Sequence, residues 1–319
     1  MSRAVVLAVL LIVCAPTVVT PASSATASPT ATRFATTTPA FSAAPTPSPQ
    51  PSPTAASTPG LMPIFDAHLH YSREAWAAYP PARVAALLDA AGVRSALVSS
   101  APDEGTFDLR VALGDRIVPL LGPYRGPSDV PGWTRDPTVI PYLDSHARPG
   151  VHKGFGEFHL ARGQVALPTV QAALRFARRN GLFLQVHTDP AALEELLNDP
   201  IVGADYYVLW AHAGVTAMPE QVEALVARWP KLSVELSLRD DVAPRGELDP
   251  RWRALFVRYP DRFMVGTDTW TVGGGFSGNE RWDMYADIVR GIRGWLAQLP
   301  ADLAERIAHL NGERFVALF

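Results

Sequence analysis

The chain has 319 residues, 48% of them hydrophobic, enough apolar material for one large core or two small ones. Its formal net charge is -3 and its 28 Lys and Arg are scattered, which excludes the basic face of a nucleic-acid binder and leaves small-molecule chemistry ahead. The sole cysteine, Cys14, lies in an apolar N-terminal run, so any metal must be held by His and carboxylate, and no thiol nucleophile or disulfide is available to a folded domain.

Residues 1–27 read as an export signal. Arg3 supplies the positive start, Ala4 to Val19 the apolar stretch, and Ser23-Ser24-Ala25 or Ala25-Thr26-Ala27 a small-residue cleavage site. Pro16 and the short length argue against a permanent transmembrane helix, and the bulky Val13 before Cys14 argues against lipidation there. The expectation is an exported protein, secreted, periplasmic or envelope-associated, that meets membrane only through an N-terminal anchor. Residues 28–61 are rich in Pro, Thr, Ser and Ala and too poor in large apolar groups to offset ordering entropy, so they read as a disordered linker.

From Met62 onward, short apolar runs alternate with helical segments. The runs are Met62 to Ala67, Val93 to Ser100, Ile117 to Tyr124, Val151 to Glu157, Leu182 to His187, Asp205 to His212, Lys231 to Ser237 and Arg262 to Asp268. Near-continuous apolarity suits strands buried on both faces of a parallel sheet. Leu167-Pro168-Thr169 opens a helix that Asn180-Gly181 closes, Pro219 opens the next, and Trp229-Pro230 and Tyr259-Pro260 stop two more. Eight strand-helix units in residues 62–319 predict an α/β fold, a (β/α)₈ TIM barrel forming a single catalytic domain; the structural rival is a doubly wound open sheet.

His68 and His70 close the first run two residues apart, so on an extended backbone both imidazoles point the same way and can reach one ion. Glu157, His187, His212 and Asp268 stand where later runs stop. In a (β/α)₈ barrel those ends converge on one face, the face that carries the chemistry. His146, His152 and His309 read as ordinary loop or helix-surface residues; His159 does too, although it lies two past Glu157, where it could face the same mouth. Gly273-x-Gly275-x-x-Gly278 matches a dinucleotide fingerprint but lacks a following strand to supply the ribose-binding acid, and reads as a flexible loop. There is no Gly-x-Ser-x-Gly nucleophile elbow.

The series DAHLH, KGFGEFH, QVHTD, WAHAG and GTDT, in this order, resembles the amidohydrolase superfamily, particularly its amidohydrolase-related branch. The resemblance covers Met62 to Phe319, including a closing HLNGERFVALF. It implies that His68, His70, His187 and Asp268 bind a divalent metal, zinc being the expected one, as one or two ions, with His212 a second-metal ligand or a polarising acid. Many members place a carbamylated lysine on strand four; here Glu157 ends that run, and Lys153 lies four residues earlier. Lys153, Phe155 and Glu157 are expected on one face, with Lys153 two layers deeper against a carboxylate. Glu157 is the bridging candidate, as in the TatD-type branch.

The implied activity is hydrolysis of a C–N or C–O bond in a small amide, lactone or ester, with Asp268 accepting the water's proton and His212 or the metal stabilising the oxyanion. Tyr71, Arg73, Tyr124, Arg125, Trp270 and Arg281 follow strand ends and are the candidate substrate-binding residues, the arginines as clamps for a carboxylate. Rival readings are a decarboxylase on the same scaffold, a TatD-type phosphodiesterase or nuclease, and a tethered barrel that only captures a ligand.

Overall fold

A computed structural model describes residues 61–271 and 280–319. The export signal, Cys14, the linker up to residue 60 and the Gly273 to Gly278 series lie outside the described residues. Eight parallel strands follow one another around a single sheet in chain order. They are β1 (Ile64–His70), β2 (Val93–Ser99), β3 (Ile117–Leu121), β4 (Gly154–His159), β5 (Phe183–His187), β6 (Val208–Trp210), β7 (Leu232–Glu235) and β8 (Phe263–Met264). Backbone bonds close the ring: Ala67 N donates to Val265 O, Asp268 N to His68 O and His70 N to Thr269 O, at 2.8–2.9 Å.

Each strand is followed by a helix: α1 (Pro81–Ala90), α2 (Glu104–Leu113), α3 (Val139–His146), α4 (Pro168–Arg179), α5 (Pro190–Asn198), α6 (Pro219–Arg228), α7 (Pro250–Arg258) and α8 (Tyr285–Leu296). Five open on proline, whose fixed φ suits a first turn and whose missing N–H has no partner to lose there. Asp189 and Asp249 cap α5 and α7, each accepting a backbone N–H at 2.8 Å. The helices expected to end at Asn180, Trp229 and Tyr259 do end there.

Side chains that point into the barrel, among them Phe65, Ala67, Leu97, Leu120, Phe183 and Met264, fill it as one apolar plug. The final helical run, Ala301–Glu305, Arg306–Leu310 and Asn311–Val316, brings Phe315 and Phe319 against Phe183 and Tyr207. Asn311 pins this run by donating to the carbonyls of Pro260 and Phe263. The apolar filling is therefore at one end of the barrel, and the polar residues are left to the other. Among the described residues no helix is long and apolar enough to cross a membrane.

The strands depart from the apolar runs where the chemistry begins. β1 extends through His70, whereas β6 stops at Trp210 and β8 at Met264. His212 and Asp268 then sit in positive-φ conformations (56° and 47°), which turn their side chains off the strand direction. Such backbone costs energy for residues other than glycine and tends to be kept where a side chain must be aimed.

Candidate metal centre

Four histidines and two carboxylates meet at the C-terminal end of the barrel. His68 Nε2 and His70 Nε2 lie 3.0 Å apart. Glu157 Oε2 stands 3.4 Å from the first and 3.3 Å from the second, and Asp268 Oδ1 stands 3.5 and 3.3 Å from the same atoms. On the other side of Glu157, Oε1 stands 3.1 Å from His187 Nδ1 and 3.3 Å from His212 Nε2. Three overlapping triads, His68/His70/Glu157, Glu157/His187/His212 and His68/His212/Asp268, each bring their donor atoms within 4.8 Å of one another.

The rings are aimed from behind, as ligand imidazoles are. His68 Nδ1 meets Glu235 Oε2 at 2.9 Å; a carboxylate only accepts, so Nδ1 carries the hydrogen and Nε2 is free to ligate. His212 Nδ1 meets Ser237 Oγ at 2.8 Å, and that hydroxyl in turn donates to Glu235 at 2.8 Å. Glu235, fully buried on β7, thus orients two of the rings. His70 Nδ1 is held by Ser99 Oγ at 3.0 Å. A donor set of this kind, imidazoles and carboxylates with the far nitrogens of His68, His70 and His212 tethered, suits a divalent cation.

Burial opposes charge on every member, and the pairings override it. Glu157 and Asp268 hold the His68 pKa well above its ordinary value, and His70 is raised to about 9. Burial likewise opposes ionisation of Glu157, yet His68, His187 and His212 hold it well below the usual carboxylate range; Asp268 is lowered by His68 and His70. This mutual dependence is what a cation would replace. Asp66 beside them is pushed up to about 6 by burial, although it accepts from His68 N, Thr267 N, Thr267 Oγ1 and Tyr285 OH at 2.8–3.1 Å. It ties β1 to the segment carrying Asp268.

The cluster lines a cavity of about 590 Å³ together with Tyr124, His159 and Trp270. Tyr124 OH accepts from His159 N at 2.8 Å and lies 3.0 Å from His159 Nδ1. Burial pulls the His159 pKa down to about 4, so this ring is neutral near pH 7. His159 also stacks on His187, with centroids 4.3 Å apart, so its place is in the site.

The other candidate substrate-binding residues go elsewhere. Tyr71 is buried and donates to the Tyr79 carbonyl at 2.7 Å, packed edge-on to Trp282. Arg73 is exposed over Trp76. Arg125 pairs with Asp129 at 2.8 Å and Asp136 at 2.5 Å. Arg281 donates to the carbonyls of Asp268 and Thr267, bracing the backbone behind the carboxylate. On β4 the expected alternation fails, because the register shifts between Phe155 and Phe158. Phe155 packs outward against Phe158 and Trp133, Glu157 turns inward, and Lys153 Nζ bonds the Phe319 carbonyl oxygen at 2.7 Å rather than a carboxylate of the cluster.

Glu235, Ser99, Ser237 and Arg239 had no part in the sequence reading. Arg239 is buried and donates to the carbonyls of Ala213 and Ala217, at 2.9 and 2.7 Å, holding the turn that carries His212. The signal for Glu235 was available: a lone carboxylate inside the apolar run of β7. His146, His152 and His309 lie outside the cluster, but His152 and His309 are buried rather than on a surface, His152 against Asp103 at 3.3 Å and His309 against Glu313 at 3.2 Å.

No protein-family model matches the sequence, and no curated protein sequence matches it. Solved structures do match. An amidohydrolase from Burkholderia multivorans with bound zinc superposes with a TM-score of 0.51 at 17% identity, over 80% of this chain and 99% of that one. A TatD homologue from Escherichia coli gives 0.52 at 15% identity, over 78% and 95%. A putative 2-pyrone-4,6-dicarboxylic acid hydrolase from Pseudomonas putida gives 0.51 at 13% identity, over 81% and 98%. At these identities the likeness is one of fold: the chain is a (β/α)₈ barrel built like these proteins, in agreement with the resemblance carried by its sequence motifs.

Proposed function

We propose that this chain is a metal-dependent hydrolase of the amidohydrolase superfamily, with His68, His70, Glu157, His187, His212 and Asp268 to hold zinc, that cleaves a C–N or C–O bond of a small amide, lactone or ester. The observation that carries the reading is the division of Glu157: Oε2 faces His68 and His70, and Oε1 faces His187 and His212. With its oxygens so divided, Glu157 would help His68 and His70 on one side, and His187 and His212 on the other, to hold divalent metal. Bound cations would supply Lewis acidity, making water nucleophilic near neutral pH. Asp268, at the same site and with its backbone braced by Arg281, would accept the proton of the attacking water and return it to the leaving group. Tyr124 and His159 supply neutral polar groups on the cavity wall. The fold likeness to an amidohydrolase with bound zinc supports the same reading.

The test is to strip the full-length protein with a chelator, reload it with zinc, and follow metal content and turnover of an ester, lactone and amide panel together. Retained metal, loss of turnover on stripping and its return on reloading are expected. A folded protein that takes up no metal would overturn the reading. We also propose that the enzyme acts outside the cytoplasm, on the strength of Arg3, the apolar run after it and the small residues that follow. Fractionation of expressing cells checks this, and a wholly cytoplasmic, full-length product would refute it.

A further inference from the structure

We infer that the cavity accepts a neutral, largely apolar substrate and discriminates against one carrying a carboxylate or phosphate away from the scissile bond. The inference rests on the hydrolase reading above and narrows its substrate class. An anionic substituent entering a cavity leaves its hydration behind and needs a cationic partner in return. Among the described residues, no Lys or Arg lines this cavity.

The cations nearest the strand ends are committed elsewhere. Arg125 satisfies its guanidinium on Asp129, Asp136 and Thr138. Arg281 is spent on the carbonyls of Thr267 and Asp268, and Arg239 on those of Ala213 and Ala217. Arg73 lies over Trp76, outside the lining. Residues 272–279 read Val-Gly-Gly-Gly-Phe-Ser-Gly-Asn, so they contain no Lys or Arg to contribute.

What lines the wall instead is apolar or neutral: Pro127, Val130, Pro131, Leu238 and Trp270, with the uncharged hydroxyls of Ser72, Ser100 and Thr271 among them. Among the described lining residues, the one acidic side chain outside the ligand cluster is Glu74, whose charge repels an anion. Arg125 accounts for part of this wall. Its bonds to Asp129 and Thr138 span the segment that carries Pro127, Val130 and Pro131, so the arginine builds the apolar surface rather than presenting a charge at it. A volume of about 590 Å³ whose wall is largely apolar and carries no cation among the described residues suits a neutral ligand whose body is hydrophobic and whose principal polar group is the bond to be cleaved.

The experiment uses full-length, zinc-loaded protein and matched pairs of aryl esters, lactones and anilides, each neutral member set against the same molecule with a carboxylate at the far end of the ring. Unreactive aryl ketones of the same two kinds are titrated by calorimetry. The expected result is kcat/KM at least about tenfold higher for the neutral members and about tenfold tighter binding of the neutral ketone. Val130→Arg, which places a cation on the wall, should move the preference at least about tenfold toward the carboxylated members. Metal-dependent turnover with equal or greater preference for the carboxylated members would overturn the inference and leave the hydrolase reading intact. Selective binding of the neutral ketone without turnover of any pair would support the inference while the hydrolase reading falls. Binding of neither ketone, or an unchanged preference in a folded Val130→Arg protein, would overturn it.

Discussion

Two substitutions separate the roles of residues that share the centre. Asp268→Asn keeps the shape of the side chain but cannot accept a proton, so turnover should fall by at least about a hundredfold with the fold intact. His68→Ala removes a ring that faces both carboxylates, and should lose metal as well as activity. Metal analysis and circular dichroism beside the rate assay distinguish the two; an Asp268→Asn protein with a wild-type rate would remove Asp268 as the base. Protonation gives a second test. Without a cation, burial is overcome at His70 by Asp268 and Glu157, raising its pKa to about 9, so near pH 7 to 8 the ring is protonated. A ligating imidazole must be neutral, so zinc binding should release protons and strengthen as pH rises toward 9. Calorimetry in two buffers of different ionisation enthalpy measures the release; affinity independent of pH between 7 and 9 would count against His70 as a ligand.

At the scale of elements, the barrel's closed end and its outer helices respond in opposite ways to the same change. Gly312, in the final helical run, lies so close to the Phe65 ring that a methyl group there would fall inside van der Waals contact. Gly312→Ala should destabilise the protein by about 1–3 kcal/mol through overpacking. Gly291, on the exposed face of α8, has nothing within 4 Å of an added Cβ. Gly291→Ala should stabilise by about 0.5–1 kcal/mol, because alanine loses less backbone freedom on entering a helix. Urea unfolding of the two variants reads both signs; equal shifts would show that helix propensity, not packing of the last run against β1, governs Gly312.

Across the whole molecule, the strand order was legible because each strand is buried on both faces and reads as a run of apolar residues bounded by proline and glycine. The clustering of His68, His70, Glu157, His187, His212 and Asp268 was legible for a related reason: they stand where the first, fourth, fifth, sixth and eighth runs stop. The pleat should also have sent Tyr71 away from His70, since neighbours on a strand face opposite sides. The fates of Arg125 and Arg281 were not legible, because they depend on Asp129, Asp136 and the carbonyl of Thr267, partners that the fold alone brings within reach. Nor was the outward packing of Phe155, which follows from a register shift on β4 that alternation cannot show.

On the proposed reading, Glu157 would divide its two oxygens between two bound cations. Crystals of the zinc-loaded full-length protein, measured at the zinc absorption edge, test it most directly. Two anomalous peaks about 3.5–4 Å apart are expected, one beside His68 and His70 and one beside His187 and His212, with Glu157 between them. A single peak at His68, His70 and Asp268, with His187 and His212 at ordinary hydrogen-bonding distances from protein groups alone, would contradict it.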